Sequence, residues 1–302
     1  MTADQQQIRT GMMMGAGAAL IWGGWPVVTA LAVQESLSPY QLVLLRIMVS
    51  LPILLPFVFR GSNSIKEWAK AGVLTVFAGA PYSYLVSSGF QYSSATHGGV
   101  IIPGTIMLTG LLTSHFILKD RLSKQRILGG LAILFGLSLL ASGGSSDSDS
   151  LLVGDFLFFM GGISWGIYTL LLRLWPMDAV AVKARVAFLS GIIMAIWFAL
   201  HEGPAFENTS TGTLVFQAIW QGALSGALAI ILFNKGVALM GAAKATVVNS
   251  LIPVISTVLA LVILHEIPNM LEAIGLLFIL TGIGSALYNK RTASTPVTDT
   301  SK

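Results

Sequence analysis

Gly129-Gly-Leu-Ala-Ile133-Leu134-Phe-Gly136 returns later in the chain as Gly275-Leu-Leu-Phe-Ile279-Leu280-Thr-Gly282, at an offset of 146. Other matches keep nearly that spacing: Gly79 and Gly89 return as Gly226 and Gly236, at 147. Farther upstream, Trp22-Gly23 is matched by Trp165-Gly166 and Arg46 by Arg185. A repeat of this length means that one structural plan is used twice. The expected organisation is a first repeat over 1–142, a polar joint over 143–151, a second repeat over 152–290 and a tail over 291–302. The stretch Ser142-Gly-Gly-Ser-Ser-Asp-Ser-Asp-Ser150 supplies the joint.

The solvent of those repeats follows from composition. Of 302 residues, 54% are apolar and 10% charged, and the mean hydropathy is +0.79. Soluble domains carry roughly 25% charged residues. So much apolar surface cannot be hidden inside a soluble core of this size, so the chain is expected to sit in lipid. Apolar runs long enough to cross about 30 Å of hydrocarbon fall near 11–33, 38–59, 70–92, 97–118 and 126–142. A second set lies near 152–173, 179–200, 213–234, 245–265 and 269–288. They lack the alternation of a β-barrel strand, so helices that satisfy their own backbone are expected. The first run is longer than the 7–15 residues of a signal-peptide core, although Arg9 and Ala30-Leu31-Ala32 mimic its flanks.

Five spans per repeat is an odd number. The second repeat must then enter the membrane from the opposite face. The fold class is therefore all-α integral membrane, with ten transmembrane helices arranged as two inverted five-helix repeats. Inverted repeats give a transporter two nearly equivalent states, with the substrate site near the midplane.

Charge sets the expected orientation. With an inside N-terminus, the inside segments hold Arg9, then Arg60, Lys66 and Lys70, then Lys119, Arg121, Lys124 and Arg126. They continue with Arg173, Lys183 and Arg185, Lys235 and Lys244, and Lys290, Arg291 and Lys302. Lys183 and Arg185 fall just within the seventh span, near its inside end. Only Arg46 escapes this pattern, and the outside loops hold acids such as Glu35, Glu202 and Glu266. The positive-inside rule then places both termini in the cytoplasm and the protein in the inner (plasma) membrane.

Polar and aromatic residues inside spans are the candidates for transport. Trp22 and Trp25, Tyr82 and Tyr84, and Trp165 and Tyr168 lie well within theirs, whereas Trp and Tyr ordinarily gather at the interfaces. Two readings stand for each, a cavity wall that grips substrate or packing between helices. His97 and Lys244 align through Gly89 and Gly236, and inversion sends them toward opposite mouths of one pathway. Lys244 could attract a carboxylate or simply snorkel to the surface; His97 could bind substrate, titrate or sit in a wet loop. Arg46 and Arg185 read mainly as scaffold hydrogen-bond donors, because a buried Arg needs partners. Pro26, Pro81, Pro103 and Pro253 interrupt spans 1, 3, 4 and 9, as kinks or as gates. Gly11/Gly15, Gly162/Gly166 and Gly222/Gly226 have the spacing of close helix contacts.

Several chemistries are missing. Cysteine is absent, no P-loop is present, and no catalytic residue, metal site or cofactor is expected. No acid falls at the middle of a span, since Asp155, Glu266 and Glu272 lie near ends. That disfavours a proton-coupled cation or multidrug exporter and leaves facilitated export, or coupling through His97. The expected partners are a small-molecule substrate and the bilayer, with no nucleic acid. Oligomeric state is open, and a monomer is compatible.

The ten-span 5+5 plan resembles the drug/metabolite transporter superfamily, in particular its EamA-type members. The resemblance is carried by the early Trp-Gly, the Arg of span 2 and the fourth/fifth and ninth/tenth hairpins. It is also carried by Gly241-Ala-Ala-Lys-Ala-Thr-Val-Val-Asn-Ser-Leu-Ile-Pro253 followed by His265-Glu266. The first half departs from this pattern: Ser94-Ala-Thr-His-Gly-Gly-Val-Ile-Ile-Pro103 brings its Pro early, and its acidic turn residue is Asp120. The resemblance implies a carrier with alternating access, closest in type to YddG-type amino-acid exporters. The alternatives are a proton-coupled exporter of the same superfamily and a non-transporting receptor or assembly protein.

Overall fold

The computed structural model describes residues 3–142, 148–175, 177–200, 206 and 209–287, with 3–4, 148–149, 242–243 and 246 as backbone only. Every regular element among them is helical. The first half comprises α1 (Ala3–Gln34), α2 (Pro39–Leu54), α3 (Ile65–Ala78), α4 (Ala80–Gly89), α5 (Ala95–Phe116) and α6 (Lys124–Ser142). The second comprises α7 (Ser148–Leu174), α8 (Ala179–Leu200) and α9 (Thr211–Gln217), which runs on through a π-helical stretch, Ala218–Leu228, into α10 (Ala229–Met240). It ends with α11 (Ala242–Asn249), α12 (Ile252–Ile263) and α13 (Met270–Leu287).

Eight of these rods are long and apolar enough to cross a membrane unaided. The third and ninth spans are each assembled from two shorter helices, α3 with α4 and α11 with α12, which completes ten. Local chemistry sets the ends. Ser38 caps α2 in a reciprocal pair with Gln41, and Pro39 occupies the first turn. Ser64 and Ser94 accept backbone N–H bonds at the starts of α3 and α5. Gly241, at φ +82°, turns the chain between α10 and α11.

Two expectations need correction. Pro26 and Pro103 do not interrupt their spans, because α1 and α5 run through them. Pro81 and Pro253 instead stand in the first turns of α4 and α12, where the missing N–H would have had no intrahelical partner anyway. The polar joint is also shorter than expected: 148–151 already belong to α7, while 143–147 and the tail 291–302 lie outside the described residues.

The repeated motif shows how the halves meet. A Cβ built on Gly129 would lie 2.6 Å from the Gly282 carbonyl oxygen, and one on Gly136 would lie 2.5 Å from that of Gly275. The first glycine of one copy thus faces the last of the other, so α6 and α13 run antiparallel with their backbones nearly touching. Ile133 packs over Gly282 and Ile279 over Gly136 in the same reciprocal way. Two copies of one motif, paired head to tail about their midpoint, are what an inverted repeat requires.

The halves also exchange partners. Span 1 of the first half packs on span 8 through α10, and span 6 (α7) packs on span 3 through α4. Span 2 likewise lies on the π-helical stretch of span 8, and span 7 (α8) lies on α3. The glycine pairs at four-residue spacing sit at seams between the halves: Gly162 and Gly166 of α7 lie under Thr105 and Thr109 of α5, and Gly222 and Gly226 lie under Val49 and Ser50 of α2. Gly136→Val should therefore lower stability by about 1–3 kcal/mol or more through overpacking. Gly110→Ala, which meets nothing within 4 Å, serves as the control. Thermal unfolding in detergent checks this, and equal midpoints for the two variants would contradict the seam.

Candidate functional site

A pocket opens between the halves at the level where span 3 breaks. Helix α2 gives it Arg46, Ile47 and Ser50, α8 gives Lys183, Val186, Ala187 and Ser190, and the α3–α4 junction gives Ala78, Gly79, Ala80 and Ser83. The α8 residues recur three, four and seven apart and the α2 residues three and four apart, one helix face each. The space open to a water-sized sphere is about 20 Å³, room for a water or so and not for a metabolite. About 280 Å³ is empty once the open mouth is counted, so the structure holds this site nearly closed.

Gly79 makes the junction possible. Its N–H still bonds to the Thr75 carbonyl at 2.8 Å, and the following N–H, of Ala80, leaves the helix to bond Ser190 Oγ at 2.9 Å. A Cβ on Gly79 would come within 2.5 Å of that same Oγ and of the Thr75 oxygen. A hydroxyl from the second half therefore closes a backbone gap in the first. Helices broken at a midplane cavity are a recurring construction in carriers.

Two aromatic groups flank the cations. The Arg46 guanidinium stands over Trp25, 5.9 Å from the ring centroid, within cation–π range. Trp25 is itself fixed: its Nε1–H donates to Gln221 Oε1 at 2.7 Å, and Gln221 Nε2 donates to Thr29 Oγ1 at 3.0 Å. Tyr82 and Lys183 are both near enough to Arg46 to feel its charge. Tyr82 then leads, at centroid distances of 5.1 Å each, to Trp165 and on to Tyr168. The latter is buried among Leu74, Val182 and Val186.

The remaining candidates lie elsewhere. Trp22 is half-buried against Phe233, with Nε1 3.5 Å from the Ser225 carbonyl. Tyr84 and Pro81 face outward and are exposed, as is Lys244 at the start of α11. His97, only 3% exposed, does not line the pocket. It belongs to a polar cluster that ties α5 to α7 and to α13. Its Nδ1 is 2.9 Å from both Asp155 oxygens, and Nε2 is 3.8 Å from Glu272 Oε1. Ser93 donates to Asp155 at 2.7 Å, and Glu266 accepts the Ala95 and Thr96 N–H groups at the start of α5. Position along the chain gave no sign that acids near the ends of two separate spans would converge on one histidine.

The two arginines have different work. Arg185, 2% exposed, donates to the Val58, Arg60 and Ser62 carbonyls and to Asn63 Oδ1, and stacks on Trp68. Arg46, among the described residues, has no hydrogen bond and no acidic partner. Expecting one scaffold task for both was a register error. Ser50 approaches Gly226 as Ser190 approaches Gly79, so Ser50 and Ser190 are the equivalent pair. That equates position 46 with 186, one residue past Arg185, and one residue is about 100° of helix rotation. Lys183, three residues before 186, is the site residue that sequence reading missed. Its spacing to Ser190 was the available signal.

The sequence profile of the EamA-like transporter family matches residues 9–142 and again 152–288. The chain is 26% identical over 292 residues to the uncharacterized transporter YetK of Bacillus subtilis (strain 168), covering 93% of this chain and 88% of that one. It is 26% identical over 273 residues to an uncharacterized transporter of Archaeoglobus fulgidus, covering 87% and 92%. A solved crystal structure superposes with a TM-score of 0.62 at 19% identity, covering 91% of this chain and 97% of its own. That likeness concerns the fold.

Proposed function

The chain belongs to the EamA-like transporter family, and from that premise we propose that it exports amino acids or similar small metabolites by alternating access, without direct energy input. The observation that carries this reading is the pocket's position. It is built jointly by both halves, at mid-span, where α3 gives way to α4. A rocking of one bundle on the other would widen it toward one face and then the other. Trp25 beneath Arg46, Tyr82 and, behind it, Trp165 are the aromatic groups proposed to grip substrate. No such role is proposed for Tyr84, Pro81 or Lys244, which face outward. The distribution of Lys and Arg supports an inner-membrane location with both termini cytoplasmic.

Reconstitution in liposomes loaded with labelled metabolites tests the reading. A carrier gives saturable efflux that accelerates when unlabelled solute is supplied on the far side. Absence of flux from folded protein would favour the receptor reading, and flux without trans-acceleration would replace alternating access by a channel. Insensitivity to an imposed proton gradient is the facilitative outcome.

A further inference from the structure

The pocket is lined by two basic side chains and by no acid, and this feature narrows the cargo. Arg46 and Lys183 line the same space. Among the described residues neither has a hydrogen bond or an ion pair with an acid. Three cations elsewhere do find acids: Arg60 has Asp178 at 3.4 Å, Lys70 has Glu67 at 2.8 Å, and Arg185 has Glu67 at 3.9 Å. Carboxylates are therefore available to the fold but lie away from this wall. Two like charges kept in a half-buried site raise each other's cost, and a bound anion would relieve it.

The arrangement around Arg46 has a further property. Stacking on Trp25 orients the guanidinium while leaving its N–H donors unspent, five in all. Arg185 shows the contrast, since it spends its donors on loop carbonyls. Ser190 Oγ already accepts the Ala80 N–H, so its hydroxyl proton remains to be donated into the pocket. Ser50 and Ser83 add hydroxyls to the same wall. A substrate ammonium, by contrast, would meet only hydroxyls, an aromatic face and two positive charges.

We propose that Arg46 and Lys183 together bind the carboxylate or phosphate of a small organic anion, so that the transported solute carries net negative charge. This rests on the carrier reading above and selects, among small metabolites, those with excess negative charge. Neutral zwitterions and organic cations are poor cargo, because no acid lines the pocket to offset their positive group beside Arg46 and Lys183.

The test uses the full chain in detergent and in liposomes. Thermal stability is read with inorganic phosphate or succinate against chloride at matched ionic strength. Efflux is read for a dicarboxylate, a phosphate monoester, a neutral amino acid and an organic cation. The expected result is stabilisation by at least one anion and preferential anion efflux. Arg46→Gln and Lys183→Met should each lower apparent anion affinity by about tenfold or more. Arg46→Lys, which keeps charge but loses the planar fork, should fall between wild type and Arg46→Gln. Succinate-only or phosphate-only stabilisation tells the two anion sources apart. Efflux of neutral or cationic solutes that is indifferent to both neutralising variants would overturn the anion site and leave the carrier intact. Anion stabilisation lost in those variants, with no flux of any solute, would keep the site and remove the carrier. Should Arg46→Gln fail to fold, Lys183→Met and Arg46→Lys decide the matter, and unchanged anion affinity in both counts against it.

Discussion

Asp155→Ala is expected to destabilise the folded protein by about 3–5 kcal/mol, the usual cost of removing one member of a buried charged pair. Asp155 and His97 are 7% and 3% exposed, and the His97 Nδ1 lies 2.9 Å from both carboxylate oxygens. Truncation strands the imidazole with only Glu272, at 3.8 Å. It also removes the acceptor of the Ser93 hydroxyl. Since Ser93 and Ser94 lead into α5 while Asp155 and Glu272 sit on α7 and α13, the damage spreads across one end of the bundle. Asp155→Asn keeps an oxygen acceptor and nearly the same volume, so it should lose less. Thermal midpoints of wild type and both variants in one detergent check this. A midpoint for Asp155→Ala within error of wild type would show the cluster to be idle. The anion-binding pocket does not include these residues, so anion affinity of the surviving folded fraction should not change.

The second large effect is expected at Arg185. Arg185→Met removes a buried guanidinium that holds the backbone of residues 58–62 through carbonyls at 3.0, 3.0 and 2.7 Å. Those acceptors belong to the turn joining α2 to α3; Val58 is buried, whereas Arg60 and Ser62 are exposed, so water can replace the lost donors at the latter two only from the outer side. Charge-assisted bonds are worth about 1.5–3 kcal/mol each, less than additively. The net loss expected is about 3 kcal/mol or more. Arg185→Lys should recover only part of it, because a single ammonium cannot reproduce the fork. Protease cleavage near residues 58–63 offers an independent reading. Faster cutting in the variant than in wild type is the expected result, and equal cutting with an equal melting midpoint would contradict the scaffold role.

Particular residues show how far the sequence could be read. Ile133-Leu134-x-Gly136 and its copy identified the repeat, and the structure then set the two copies face to face, a backbone contact that explains why the glycines recur. The span limits were legible because lipid tolerates no long polar interruption, so apolar runs record the membrane directly. Arg46 and Arg185 were read as twins, and the contacts of Ser50 and Ser190 separate them by one residue of register. Lys183 looked like one more inside-facing charge. His97 reads as the repeat counterpart of Lys244 at the opposite mouth of a pathway, and the structure instead buries it between Asp155 on α7 and Glu272 on α13.

Sequence by itself determined the solvent, the count of ten spans, the doubling and the inversion, since each depends on run length, composition or parity along the chain. Tertiary structure decided which face of each helix looks inward. That rotation is set by packing against helices remote in sequence: Gly79 against Ser190 and Gly226 against Ser50 turn α2 and α8 so that Arg46 and Lys183 share a pocket. A shift of one residue would have turned each side chain by about 100° and left the hydropathy pattern almost unchanged.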